Sequence, residues 1–199
     1  MTNTFAPFGF SQTGNAEGTA PNFALTTRKI LYSDTTKIFT GDPVKMGNGG
    51  YVAQWTVGTA VSQLAGIFVG CEYLSTAQGR VVWSPYWPGA DTTTDPIAYI
   101  IPASPGSFPT FVVQTANSNT TASACTIADI GQNIDVALGS GSTVNGRSTA
   151  YADLYTMNTT ATLPFRITGL YPGVGNGSDA TSAYNWVIVQ ANVAGTTGI

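Results

Sequence analysis

The chain has no histidine, only two cysteines and few charged side chains, and each scarcity excludes a class of chemistry. Without histidine, the chain lacks the usual general base near neutral pH and the commonest metal ligand. A Ser-His-Asp or Cys-His catalytic arrangement therefore cannot form within one chain. Cys71 and Cys125 lie far apart in the sequence and lack the spacing and companion ligands of a zinc site. A disulfide and two buried free thiols both stay open at this point.

Charge is scarce as well, because charged residues make up 9% of the chain and the net charge is −3. Arg28-Lys29 is the only pair of adjacent basic residues, so the sequence predicts no nucleic-acid partner. No apolar run is long enough to span a bilayer, which predicts no membrane partner. The N-terminus lacks the basic and apolar regions of a signal peptide, so we expect synthesis in a host cytoplasm. So little surface charge favours a surface covered by neighbours, and hence a homo-oligomer.

Paired carboxylates are the one catalytic route that these absences leave open. Asp91 and Asp95 flank a threonine run beside Trp87, and Asp129 and Asp135 lie near a turn. Aspartates in such positions typically cap turns, and the first pair also lacks the glycine and distal glutamate of a calcium-binding EF-hand loop. We therefore expect no enzymatic activity, no cofactor and no metal site.

The residues present indicate an all-β protein. Threonine is abundant, 23 glycines and 11 prolines punctuate short apolar runs, and no window shows a long 3.6-residue period. The prolines before residue 109 and Leu163-Pro164 predict the borders of an insertion. We expect a small β-barrel or sandwich body (23–101 plus 164–199), an inserted β subdomain (102–163) and an extended N-terminal arm (1–22).

Aromatic side chains in irregular segments are the candidate partner-binding residues. The arm carries Phe5, Phe8 and Phe10, which either dock on a partner or fold back on the chain's own body. Tyr86 and Trp87 stand in a proline-rich loop that either plugs the open end of a barrel or binds another subunit.

The order of several motifs resembles the capsid decoration, or cement, proteins of tailed bacteriophages. These motifs are Gly41-Asp42-Pro43-Val44, Gly49-Gly50-Tyr51-Val52, the run from Gly66 to Tyr73, Ser84-Pro85-Tyr86-Trp87-Pro88, the run from Thr160 to Ile167, and Trp186-Val187-Ile188-Val189. The resemblance covers most of residues 30 to 194 and leaves out the arm. It implies a structural virion protein on the outer surface of the capsid, where a dimer or trimer clamps neighbouring major capsid proteins.

Two other functions stay open. One is a different virion component, such as a head-fibre base or a tail-associated protein. The other is a carbohydrate-binding β module that exposes Trp83, Tyr86 and Trp87 to sugar.

Overall fold

The structure is a computed structural model of the whole chain, and it describes residues 2–15, 18–103, 109–119 and 122–192. The predicted all-β class is confirmed, because the described residues form fourteen strands and no α-helix. In chain order the strands are β1 (Ser11–Asn15), β2 (Thr26–Lys29), β3 (Ile38–Phe39), β4 (Pro43–Met46), β5 (Val52–Gln54), β6 (Leu64–Ser75), β7 (Arg80–Ser84), β8 (Tyr86–Trp87), β9 (Ile97–Pro102), β10 (Pro109–Ala116), β11 (Asn133–Ala137), β12 (Tyr151–Asn158), β13 (Phe165–Leu170) and β14 (Trp186–Ala191). Short 3₁₀ turns lie at Asn48–Gly50, Val61–Gln63 and Ile127–Asp129.

The first structural unit is an antiparallel sheet in the order β2-β9-β6-β4-β5. An isolated bridge between Lys29 and Tyr51 joins its two outer strands, so the sheet curls around on itself. β7 pairs with the second half of β6 and extends the sheet there. β3 and β8 form a separate two-stranded ribbon.

The second unit is a closed five-stranded barrel. β10 pairs with β14, β14 with β13, β13 with β11 and β11 with β12, all antiparallel. A short parallel pairing of β12 with β10 closes the ring. β1, near the N-terminus, pairs with the first half of β10, on the edge opposite β14.

The sheets divide the chain differently from the predicted segments. β13 and β14, which belong to the predicted body, pair with the strands of the predicted insertion. The chain passes between the units twice, from β1 into the first unit at β2 and back into the second unit between β9 and β10, and Leu163-Pro164 lies in a connection inside the second unit. Proline indicates the end of a strand both before residue 109 and at Leu163-Pro164, but it does not indicate which strands pair with each other on either side of that end. Residues 193–199 of the predicted body lie outside the described residues.

Each unit has its own apolar interior, and a few side chains join the two. The interior of the first unit includes Phe68 and Trp87, both fully buried. Trp55 and Ile67 also come from first-unit segments, yet they pack into the core of the second unit. The two units therefore share buried surface, which disfavours their moving as independent bodies.

Candidate partner-binding site

The N-terminal segment is tied to the second unit by side chains that bind its backbone. The Gln114 side chain accepts a hydrogen bond from Ala6 N (2.8 Å) and donates one to the Thr4 carbonyl (2.9 Å). The buried Asn3 amide accepts a hydrogen bond from Gly177 N at 3.0 Å. Gln114 itself is fully buried, so these hydrogen bonds are shielded from water. Residues 2–15 thus fold back on the chain's own body.

The three phenylalanines of this segment differ in exposure. Phe10 is 4% exposed and stacks on Phe165, with ring centroids 4.7 Å apart. Phe8 is half-buried and meets Trp186 edge-on at 4.7 Å. Phe5 is 48% exposed and rests against two tyrosine rings. Of the three, Phe5 presents the most surface to a partner.

The Tyr86-Trp87 pair is built into the first unit. Trp87 has no exposed surface, its Nε1 donates to the Asp34 carbonyl at 3.0 Å, and its ring meets Tyr73 edge-on. Tyr86 is half-buried and stacks on Phe39 with centroids 5.4 Å apart. Trp87 therefore serves as interior packing, and the partner-binding role predicted for it would need the unit to open.

A different aromatic surface is exposed on the outer face of the first sheet, and we call it the Trp83 face. Its members are Trp83, Val81, Leu74, Ile97 and Tyr99. Glu72 of β6 lies opposite Trp83 of β7 on one side and Ile97 of β9 on the other, and Leu74 lies opposite Val81. Directly paired residues share one face of a sheet, so these side chains form one surface. The four aliphatic and indole side chains are between 40% and 60% exposed.

Local sequence explains how the Trp83 ring packs over Gly70 on this sheet. A Cβ atom at Gly70 would come within 2.7 Å of the Trp83 ring, so the glycine leaves the space in which the indole rests. Beside it, Tyr99 Oη donates to Glu72 Oε2 at 3.0 Å, and this bond raises the pKa of Tyr99. Because Glu72 already accepts this hydrogen bond, its charge interrupts the apolar surface less than a free carboxylate would.

Two buried carboxylates join the units reciprocally. Asp42, from the first unit, accepts a hydrogen bond from Ser148 Oγ of the second unit at 2.5 Å. Asp135, from the second unit, accepts hydrogen bonds from Trp55 Nε1 (3.0 Å) and Gly58 N (2.8 Å) of the first. Both aspartates are 2% exposed. Burial raises the pKa of Asp42, and its hydrogen bonds partly oppose that shift.

The other carboxylates that the sequence singles out accept hydrogen bonds from turn residues or from a tyrosine side chain. Asp91 accepts hydrogen bonds from the Ser75 and Thr76 hydroxyls and from Ala77 N, and these lower its pKa. Asp95 accepts from Tyr51 Oη at 2.9 Å. Asp129 caps the 3₁₀ turn that follows Thr126. Within the described ranges, no group of three or more acidic or cysteine side chains is placed to hold a metal ion.

The two cysteines are free and buried, so the disulfide left open by the sequence is not formed. Cys71 lies in the core of the first unit and Cys125 in that of the second. Burial raises the pKa of each thiol to about 12. Both therefore act as small apolar side chains.

The Trp83 face was not among the residues predicted to bind a partner, although Trp83 entered the carbohydrate alternative. The available signal was the order Arg80-Val81-Val82-Trp83 after a glycine turn, in which two large apolar residues fall on the same side of the strand. In a half-buried strand that side would face the core, and only the structure shows that it faces outward.

Comparisons with known proteins leave the family open. No family model matches the chain, and searches of curated proteins and of solved structures found no significant match. Among the described residues, no helix has the length and apolar character needed to cross a membrane.

Proposed function

We propose that this chain is a structural virion protein that binds the outer surface of a bacteriophage head and clamps neighbouring major capsid proteins. The Trp83 face is the observation that carries the proposal. A contiguous, outward-facing surface of tryptophan, tyrosine and aliphatic side chains has the composition of the buried centre of a protein interface. The motif order that resembles cement proteins points to the same function.

The architecture behind this face suits a clamp. The Trp83 face stands on paired strands rather than on a loop, and the two units are held together by shared packing and by Asp42 and Asp135. A rigid surface loses little conformational entropy on binding. When many copies repeat the contact on a symmetric shell, modest individual affinities add up to strong retention.

Binding to heads that lack the protein tests the proposal. We expect the wild-type chain to cosediment with such heads of its own phage and to raise the temperature at which they release DNA. Trp83→Ser should weaken the binding roughly tenfold or more, because a central tryptophan is a typical hot spot. Tyr155→Ser is the matched control, since Tyr155 is a 62%-exposed aromatic residue of β12, in the other unit. Wild-type protein that stays in the supernatant would refute the proposal.

A Phe5 variant tests the N-terminal segment in the same experiment. Deleting residues 1–12 would remove Phe10 from the core, so Phe5→Ser is the cleaner change. If the N-terminal segment binds the shell, this variant should also be released more readily. Full retention would remove Phe5 from the site and leave the Trp83 face as the predicted contact.

The two alternatives give different results in related measurements. A head-fibre base or tail-associated protein would be present at a few to a few dozen copies per particle, whereas a cement protein would be present at hundreds. For the carbohydrate alternative, the three rings do not form one platform, because Trp87 is buried and Tyr86 stacks on Phe39. A polysaccharide titration that quenches Trp83 fluorescence would favour that alternative instead.

A further inference from the structure

The outer edge of β7 is a strand edge without a partner strand in the described part of the chain. β7 pairs with β6 on one side only, in an unbroken register from Cys71–Ser84 to Ser75–Arg80. Val81 and Trp83 are about 60% exposed, so their outward face of the strand is open as well. An edge of this kind presents backbone N–H and C=O groups to any chain that can extend alongside it.

Two other edge strands, β1 and β2, carry features that hinder such pairing. β1 contains a register shift between Gln12 and Gly14, and a bulge of this kind disrupts the ladder. β2 carries Arg28 and Lys29, and an isolated bridge joins its end to Tyr51. β7 has no proline and no bulge, and its one charged residue is Arg80 at the start of the strand. The sequence of β7 therefore permits strand addition where β1 and β2 discourage it.

The strand is complementary to itself in the antiparallel orientation. If two β7 strands meet about a twofold axis with Val82 opposite its own copy, Val81 lies opposite Trp83 of the second copy. Aromatic and β-branched residues in such cross-strand pairs stabilise antiparallel sheets. Arg80 then lies opposite Ser84 of the second copy, so the only charge in the strand does not face a like charge.

We propose that the β7 edge binds a second copy of this chain, forming a twofold dimer in which the two first-unit sheets continue into each other. The contact is isologous, as a closed dimer requires. It also brings the two Trp83 faces side by side and doubles the apolar surface proposed to bind the shell. The dimer is measured without heads, so its failure and the failure of the proposed function are distinguishable.

Sedimentation velocity over a range of concentrations tests the pairing. The wild-type chain should shift from monomer to dimer as concentration rises. Trp83→Ala should weaken the dimer at least about 30-fold, as expected for loss of a tryptophan hot spot. Val81→Lys should also weaken it, because it places a charge in the cross-strand pair. Val144→Lys makes the same change at a valine that is 96% exposed in the second unit, and it should leave the dimer intact.

Cross-linking gives a result that does not depend on removing an apolar side chain. Residues directly opposite each other in an antiparallel pair have Cα atoms about 4.5–5.5 Å apart, within the range a disulfide spans. Val82→Cys should therefore form an intermolecular disulfide under mild oxidation. Val174→Cys is the control, because a cysteine at this 96%-exposed position cross-links only through random collision, and it should react more slowly. The buried native thiols should not compete.

Three results would overturn the proposed β7 dimer. A wild-type chain that stays monomeric at every concentration, or a Val82→Cys variant that cross-links no faster than the control, overturns the dimer. Dimers that survive both Trp83→Ala and Val81→Lys also overturn it, because they would use another surface. Circular dichroism and thermal unfolding of each variant separate loss of association from loss of folding.

Discussion

The hydrogen bond between Asp42 and Ser148 predicts a measurable energetic coupling between the two units. Asp42 Oδ1 accepts from Ser148 Oγ, while Oδ2 accepts from Phe39 N at 2.8 Å and Gln54 Nε2 at 3.0 Å. Ser148 Oγ in turn accepts from Ala150 N at 2.9 Å. Removing one partner leaves buried polar groups unpaired, and this costs more than the hydrogen bond itself contributes.

We expect Ser148→Ala to lower the free energy of unfolding by about 2–6 kcal/mol. The change removes a hydrogen bond to a buried acidic group and leaves the Ala150 N–H without an acceptor, at about 1–3 kcal/mol each. Asp42→Asn should cost less, because one amide oxygen can still accept from Phe39 N. Ser62→Ala, at an exposed serine, is the matched control and should stay within about 0.5 kcal/mol of the wild type.

A double-mutant cycle measured by guanidinium unfolding isolates the contact. The double variant Asp42→Asn/Ser148→Ala should be more stable than the sum of the two single changes predicts, by about 1–2 kcal/mol. If the two changes add within about 0.5 kcal/mol, the hydrogen bond does not couple the units and the reasoning fails.

The pH dependence of the same variants has a definite sign. Burial raises the folded-state pKa of Asp42 above its ordinary value of 3.8. The folded state therefore binds the proton more tightly, and the contribution to stability is fully present below pH 3.8 and lost as pH rises through the folded pKa. The stability of wild type relative to Asp42→Asn should consequently fall as pH rises through this window. A rise would contradict the assignment.

Three further predictions follow from single features. Cys71 and Cys125 should not react with a thiol reagent in the native protein, and both should react once it is denatured. Asp179, whose pKa is lowered by hydroxyl groups of its own loop, should stabilise the protein above pH 3.8, so the loss caused by Asp179→Asn should shrink as pH falls below it. Gly66→Ala should cost more than about 2 kcal/mol in thermal unfolding, because Gly66 has φ 151° and the Ile101 carbonyl fills the place of a Cβ.

The all-β class could be predicted from sequence because it depends on local chemistry. Alternation in Asn133–Ala137, the apolar run of β6 and the glycine turns between them are visible within short windows. Strand pairing is not local. β14 pairs with β10 although most of the second unit lies between them in the sequence, and neither strand contains a feature that identifies the other as its partner. For this reason the predicted insertion does not follow the sheets.

The candidate site was harder to predict because exposure is a property of packing. Phe10 and Trp83 are both large aromatic residues in otherwise ordinary segments, yet Phe10 stacks on Phe165 and Trp83 faces outward. Asp42 reads as part of a Gly-Asp-Pro bend, and its role depends on Ser148, which is 106 residues away. Exposure and long-range contacts of this kind depend on tertiary packing, and a single sequence does not indicate them.

The distribution of aromatic residues argues for where a partner can bind. Trp55 and Trp87 are at most 1% exposed, and Phe8 packs against Trp186, so most of the large rings that could bind a partner already stabilise the fold. Trp83 is the exception among the four tryptophans, because it is 59% exposed on regular paired strands. Leaving more than half of this side chain in water forgoes part of the roughly 1.5–3 kcal/mol that full burial of a large apolar side chain contributes. The β6–β7 hairpin thus presents apolar surface on regular paired strands beyond the needs of its own fold, and binding a partner there recovers that burial.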